Sequence, residues 1–282
     1  LNFEIDAIVV GAGIFGSTIA RALRADGRKV TVFDDRRPLN GSAPSGCLMK
    51  PSWFSSLGEG VYTPSLEMLD SLYGVKDIEF TIRPSGLKAK VHWVPNEVIT
   101  NTSDLTVLNE KVDSIELGRV TTIVPGSSTA KEYEAPLIVI AAGVWSRELA
   151  TVPELIGKQG ISFRLPHSHL SENTIQGWAP YKQAVVFQET SSSIWAGDGT
   201  AIKPENWTEA RADKSLDRMK KVTSFTSMSM RHATCGIRPY VPKVKGCFLE
   251  EQANGFWVAT GGAKNGLVAA GWAAHEIVRK TP

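Results

Sequence analysis

Gly11, Gly13 and Gly16 stand at the spacing G-x-G-x-x-G, and an acid, Asp34, follows about twenty residues on. The chemistry of that set is the binding of a pyrophosphate and a ribose. Gly11 permits a tight turn, Gly13 lets the pyrophosphate approach the backbone, and Gly16 lets a helix pack on a strand. The free N–H groups and positive dipole end of a helix beginning near Ala12, Ile14 and Phe15 would meet the phosphates. Asp34 would accept hydrogen bonds from ribose hydroxyls, and an acid there disfavours a 2′-phosphate, so FAD or NAD fits better than NADP.

These residues need particular elements around them. Residues 7–10 (Ala-Ile-Val-Val) read as a short buried strand, Ile19, Ala20 and Leu23 give the next segment the apolar face of a helix, and residues 30–34 close a second strand. A second apolar run, 137–143, ends in glycine and belongs in a parallel sheet covered on both faces. Residues 36–60 form a long connection rich in Ser, Gly and Pro. Helices are predicted at 64–73, 208–222 and 267–278. Alternating patterns at 78–82 and 87–94 predict an antiparallel pair, and more strands follow at 105–124, 157–164, 184–188, 193–197 and 256–260. Parallel, dinucleotide-binding texture thus occupies 1–75, 100–150 and 235–282, and antiparallel texture 76–99 and 151–234. The expectation is an α/β fold of two interleaved domains with a ligand site between them.

The chain has 282 residues, enough for a sizeable core. Its net charge of +2 is far from that of a dedicated nucleic-acid binder. Cys47, Cys235 and Cys247 include no C-x-x-C pair, which argues against a disulfide scaffold or zinc site and favours a reducing, cytoplasmic setting. No apolar run approaches membrane-spanning length, so no membrane partner is expected, and the first strand begins at once, so no signal peptide is expected. His167 and His169 lack a third ligand nearby and read as solvated loop residues rather than a metal site. Arg238 sits beside Pro239 in what reads as a loop, where a structural ion pair is the plain role.

With these segments placed, the chain resembles the FAD-dependent D-amino-acid oxidase family, which includes glycine oxidase and sarcosine oxidase. Five blocks in the family's order carry the likeness. They are Val10-Gly-Ala-Gly-Ile-Phe-Gly16 with Val30-Thr-Val-Phe-Asp34, then Ser42-Ala-Pro-Ser-Gly-Cys-Leu-Met-Lys-Pro51, Val139-Ile-Ala-Ala-Gly-Val-Trp-Ser146, Gly236-Ile-Arg-Pro239 and Gly255-Phe-Trp-Val-Ala-Thr-Gly-Gly-Ala-Lys-Asn-Gly266.

The resemblance implies non-covalent FAD, held in a Rossmann-like domain interleaved with an antiparallel substrate domain of reduced size. Nothing places a cysteine for covalent attachment. Beyond the first glycine block, the implied cofactor contacts are Asp35, Arg36, Ser42, Ser45, Gly46, Cys47, Leu48, Val112, Ala141, Ala142, Gly143, Trp145, Gly236, Gly262, Ala263, Asn265, Gly266 and Leu267. Arg238 is implied to grip the substrate carboxylate, which a planar guanidinium does in a bidentate pair. Lys264 and Lys50 are implied as further substrate or dioxygen contacts, with solvated lysines as the alternative. The final helix would aim its N-terminus at the flavin.

The implied reaction is oxidation of the C–N bond of a small amino acid or amine. Hydride passes from Cα to flavin N5, the imine is hydrolysed, and dioxygen accepts the electrons. The chain is short for the family, and the missing length falls in the substrate-covering region. That leaves open a substrate tethered to a macromolecule such as modified DNA or RNA. A dehydrogenase with another electron acceptor, and a non-catalytic flavin-binding subunit, are the rival readings. The oligomeric state is not legible.

Overall fold

The apolar run at 7–10 forms strand β1 (Ala7–Val10), the glycine turn leads into helix α1 (Ile14–Ala25), and β2 (Val30–Phe33) completes the unit. The computed structural model describes residues 4–167, 169–179, 182–223, 225–244 and 246–282. There follow β3 (Leu48–Met49), α2 (Glu59–Tyr73), β4 (Lys76–Arg83), β5 (Leu87–Trp93), α3 (Asn96–Thr100), β6 (Thr106–Leu108), β7 (Lys111–Glu116), β8 (Arg119–Ile123), β9 (Ala130–Glu134) and β10 (Leu137–Ile140). The remainder comprises β11 (Ile156–Pro166), β12 (Thr174–Ala179), β13 (Lys182–Thr190), β14 (Ser193–Gly197), α4 (Glu209–Thr223), β15 (Ala233–Tyr240), β16 (Phe248–Glu251), β17 (Trp257–Thr260) and α5 (Gly266–Lys280).

Six strands in the order β16-β17-β10-β1-β2-β6 form a sheet that is parallel except at β16. The short apolar runs are buried on both faces because each face has its own cover. Ala7, Val9, Val32, Val139 and Ala259 point to one side, where they pack with Ile19 and Leu23 of α1 and with Val268, Ala270 and Ala273 of α5. Ile8, Val10, Phe33, Ile138 and Val258 point to the other, where the separate antiparallel sheet β7-β8-β9 contributes Val112 and Val120. Alternate residues of a strand face opposite ways, so continuous apolar sequence is what such a doubly covered sheet requires. Helix α2 packs on α5 closely enough that a Cβ on Gly271 would lie 2.5 Å from Ser65 Oγ, which donates to the Val268 carbonyl at 2.6 Å.

Eight strands in the order β15-β11-β14-β13-β12-β4-β5-β3 form the second sheet. It is antiparallel except where β12 pairs with β4. One face carries Ile161, Phe163, Leu165, Val186 and Ile194 against Ala212, Leu216 and Met219 of α4. The other carries an aromatic cluster of Phe80, Trp93, Phe187 and Trp195.

The two-texture reading matches this mixed α/β architecture, but its boundaries cut across the sheets. The range 235–282 takes in β15, which belongs to the eight-stranded sheet, and the range 1–75 takes in β3, the opposite edge of that sheet. The Arg238 segment is therefore strand rather than loop. Pro239 disguises it, and an edge position tolerates proline because one side of the strand needs no ladder donor.

Candidate cofactor and substrate cleft

Between the two sheets lies a cleft of about 450 Å³. Its floor is the β1–α1 turn. Gly11 has φ +102°, and a Cβ there would lie 2.6 Å from the Ala141 carbonyl oxygen, so both backbone geometry and space demand glycine. A Cβ on Gly13 would lie 2.9 Å from Ser42 Oγ. Ser42 Oγ accepts the Ile14 N–H at 2.8 Å. Helix α1 has no acid in its first turn, so beyond the Ile14 N–H that Ser42 takes up, its positive end is turned to the cleft.

Asp34 lies at the end of β2. Its Oδ2 accepts the Ala12 N–H at 2.6 Å and its Oδ1 the Arg36 N–H at 2.7 Å. Each oxygen keeps a further lone pair for a hydroxyl donor. Next to it Arg37 donates to Asp35 Oδ2 at 2.6 Å and to Glu148 Oε1 at 2.7 Å, with its guanidinium 5.5 Å from the Trp145 ring centre. The Glu148 bond, supported by Asp35, raises the Arg37 pKa, and Arg37 in turn holds the Glu148 carboxyl below the usual range. Glu110 is buried at the same end and accepts from Thr122, Lys131 and Tyr133. Burial alone would push its carboxyl up, but Lys131 and Thr122 outweigh that and leave it lowered.

At the far end the cleft is lined by Ala141, Ala142, Gly143, Thr260, Gly262, Ala263, Gly266 and Arg238. A Cβ at Gly143 or Gly266 would meet no atom within 4 Å, so both leave open space in the cleft. Arg238 projects from β15 across β11. A Cβ on Gly160 would lie 2.8 Å from its Nη2, so Gly160 makes room for the guanidinium. Burial pulls the Arg238 pKa down, and Asp198 acts against that from beyond hydrogen-bond distance. The guanidinium remains protonated at neutral pH. Among the described residues it has no ion-pair partner, which sets it apart from Arg37 and from Arg164, whose Nε donates to Glu189 Oε2 at 2.8 Å.

Of the residues singled out from the sequence, Gly11, Ala12, Gly13, Ile14, Phe15, Asp34, Asp35, Arg36, Ser42, Val112, Ala141, Ala142, Gly143, Trp145, Arg238, Gly262, Ala263 and Gly266 line this cleft. The others stand elsewhere. Gly16 is a packing residue, since a Cβ there would lie 1.7 Å from the Gly11 oxygen. Ser45 bonds Cys47 and offers its carbonyl to Arg164. Gly46 lies against the Trp195 ring, Cys47 is buried, and Leu48 is in β3. Gly236 gives room to Asn40 and Pro44, Asn265 is the N-cap residue of α5, and Leu267 is in the core. Lys264 is exposed, and Lys50 donates to Ser52 Oγ at 2.5 Å, so neither lysine lines the cleft.

Arg37, Asn40, Gly41, Glu110, Glu148 and Thr260 line the cleft without having been singled out. Each depends on a partner distant in sequence, and no local spacing marks such a residue. Among the described residues no cluster of His, Cys, Asp and Glu is arranged to hold a metal ion.

The cleft fits an extended adenine dinucleotide. It runs from the Asp34 carboxylate, past the N-terminus of α1, to Gly143 after β10 and Gly266 at the start of α5, both of which leave open space.

The pattern of the family described as FAD dependent oxidoreductase (DAO) matches residues 105–280, and that of the NAD(P)-binding Rossmann-like domain matches residues 9–50. No curated protein sequence matches the chain. Among solved structures, glycine oxidase from Bacillus cereus superimposes with a TM-score of 0.68 at 14% identity, covering 98% of this chain and 96% of that one. Iminodiacetate oxidase from Chelativorans sp. gives 0.66 at 16% identity, with 98% and 96% covered. The glycerol-3-phosphate dehydrogenase of Bacillus halodurans, solved with FAD, gives 0.66 at 14% identity, and this chain spans 64% of its length. At such identities these likenesses speak for the fold.

Proposed function

Because the chain belongs to the DAO family of FAD dependent oxidoreductases, we propose that it oxidises the C–N bond of a small amino acid or amine whose carboxylate is held by Arg238. The observation that carries this reading is the unpaired, partly buried guanidinium of Arg238 at the α5 end of the cleft. A buried cation without a counter-ion is costly, and a bound carboxylate removes that cost with two parallel, charge-assisted hydrogen bonds. FAD, when bound, supplies the two-electron acceptor for the oxidation.

The residues of the chain have three tasks in this reading. The β1–α1 turn and Asp34 hold the phosphates and ribose. The N-terminus of α5 lends its dipole to negative charge nearby. Arg238 fixes the substrate in one orientation, so that a single Cα–H is presented. The net reaction breaks that Cα–H bond, gives an imine that water hydrolyses, and passes two electrons to dioxygen as peroxide. The free thiols of Cys47, Cys235 and Cys247 support a cytoplasmic setting for the protein. Among the described residues no helix is long and apolar enough to cross a membrane.

The test is peroxide release by the FAD-loaded protein across a panel of amino acids and N-alkyl glycines, with Arg238→Ala alongside. Loss of one charge-assisted bidentate pair predicts a fall in kcat/KM of about 100-fold on the best substrate. An Arg238→Ala protein of undiminished kcat/KM would remove the basis of the reading. Anaerobic repetition with an artificial dye acceptor separates oxidase from dehydrogenase, since a dehydrogenase reduces the dye while releasing little peroxide in air.

A further inference from the structure

Arg37 stands at the Asp34 end of the cleft, and its guanidinium is held from its edge by two carboxylates. Its Nε donates to Asp35 Oδ2 at 2.6 Å and its Nη1 to Glu148 Oε1 at 2.7 Å. Bonds of this kind lie in the plane of the guanidinium, so they fix that plane and leave its faces free. One face lies over the Trp145 ring, 5.5 Å from its centre. The side chain is partly buried, and both it and Trp145 line the cleft.

The two carboxylates also match the charge of Arg37, which leaves it little to offer a phosphate. Asp34, with Asp35 next in the chain, makes this a poor place for an anion. The phosphates have a site of their own at the N-terminus of α1, which has no acid in its first turn. Asp34 joins the two places. Its Oδ2 accepts the Ala12 N–H in the glycine turn and its Oδ1 the N–H of Arg36, the neighbour of Arg37. A dinucleotide with its phosphates on α1 and its ribose on Asp34 thus carries its base toward Arg37. Val107 and Val112, on either side of Glu110, add apolar wall to the cleft. A flat, uncharged base suits the free face of a clamped guanidinium.

We infer that Arg37 is the stacking plate for the adenine of FAD, with the base on one face of the guanidinium and Trp145 on the other. A cation over an aromatic face is attractive, and a guanidinium also stacks because it is flat. A side chain clamped in advance loses little rotamer entropy when the base arrives. Asp35 and Glu148 are then positioning residues that act on the base through Arg37. None of this draws on Arg238, so it stands or falls separately from the substrate reading.

Pieces of the cofactor test this without turnover. The full-length apoprotein is titrated in a calorimeter with ADP and with inorganic pyrophosphate. In Arg37→Met the affinity for ADP is expected to fall about tenfold, the worth of one stacked cation. Affinity for pyrophosphate should be unchanged, which also shows that the variant folds with its β1–α1 turn intact. The loss should be equal at low and at high salt, because the charge of Arg37 is already matched. Arg37→Lys keeps the charge and gives up the plane, so it should not restore wild-type ADP affinity. The FAD-loaded Arg37→Met protein should release its flavin about tenfold faster on dilution, read from the flavin absorbance. ADP binding that is unchanged in Arg37→Met, that falls in step with pyrophosphate, that recovers at high salt, or that Arg37→Lys restores in full overturns the inference.

Discussion

At the scale of single residues, the glycines in and behind the cleft divide into those that shape the chain and those that make room for a ligand. Gly16 belongs to the first kind, because no rearrangement short of moving β1 or α1 could admit a Cβ 1.7 Å from the Gly11 oxygen. Gly266 belongs to the second, with φ −51° and no atom within 4 Å of an added methyl. Gly16→Ala is therefore expected to lose about 3 kcal/mol or more of stability. Gly266→Ala is expected to gain up to about 1 kcal/mol through its less flexible unfolded chain, yet to bind FAD more weakly because the methyl enters the cleft. Thermal melts of the apoproteins and flavin retained after gel filtration read the two effects separately, and a Gly266→Ala protein with full FAD affinity would remove Gly266 from the cradle. The first glycine set was legible in sequence because its spacing is itself a statement about shape. Arg37 was not, since its role is made by Glu148, 111 residues away.

At the scale of elements, the sequence disclosed the strands whose burial leaves a pattern and hid those held by their neighbours. The runs at β1, β2 and β10 are apolar because both their faces are covered. By contrast β15 carries Gly236 and Pro239, poor strand formers, and is held by β11 on one side and by the chain at Leu39–Asn40 on the other. Polar clamps between elements are equally silent in sequence. Arg21 of α1 donates to both oxygens of Asp104, at 2.9 and 2.7 Å, and at 2.9 Å to the Ile99 carbonyl of α3, tying α1 to the segment before β6. The bond from Arg21 holds the Asp104 carboxyl below its ordinary value. A carboxyl lowered in the folded state contributes stability that is complete above its unfolded pKa, about 3.9, and is lost as pH falls through the folded value. The clamp is thus expected to be intact at pH 5 and to fail below about pH 4. Asp104→Asn should lower the melting temperature at pH 6 and flatten its decline between pH 4 and pH 2. Parallel melting curves for mutant and wild type across that range would show the clamp to be unimportant.

At the scale of the whole molecule, one stretch of chain passes from the parallel sheet to the other and lines the cleft on its way. Residues 39–47 leave the parallel sheet after Asp34 and dock on the other. The Leu39 carbonyl accepts from the Ile237 N–H at 2.8 Å, the Ala43 and Ser45 carbonyls accept from Arg164 at 2.8 and 3.1 Å, and the Pro44 carbonyl accepts from Trp195 Nε1 at 3.2 Å. The family likeness implied cofactor contacts at Ser42 and from Ser45 to Leu48. In the fold the first part of the stretch, Asn40 to Ser42, lines the cleft, while Ser45 to Leu48 anchors it to the eight-stranded sheet. Sequence alone gave no means of dividing the stretch, because Ser, Gly and Pro suit both a ligand loop and a docking loop. One consequence is cooperative. If both sheets wall a single FAD site, adding FAD to the apoprotein should slow amide exchange together at residues 11–16, 34–42, 141–145, 237–239 and 260–266. At a hundredfold excess over Kd the ligand should also stabilise the fold by about 2.7 kcal/mol. Protection confined to residues 11–42 would mean that the two ends of the cleft do not hold one ligand, and that Arg238 faces something other than a substrate placed beside the flavin.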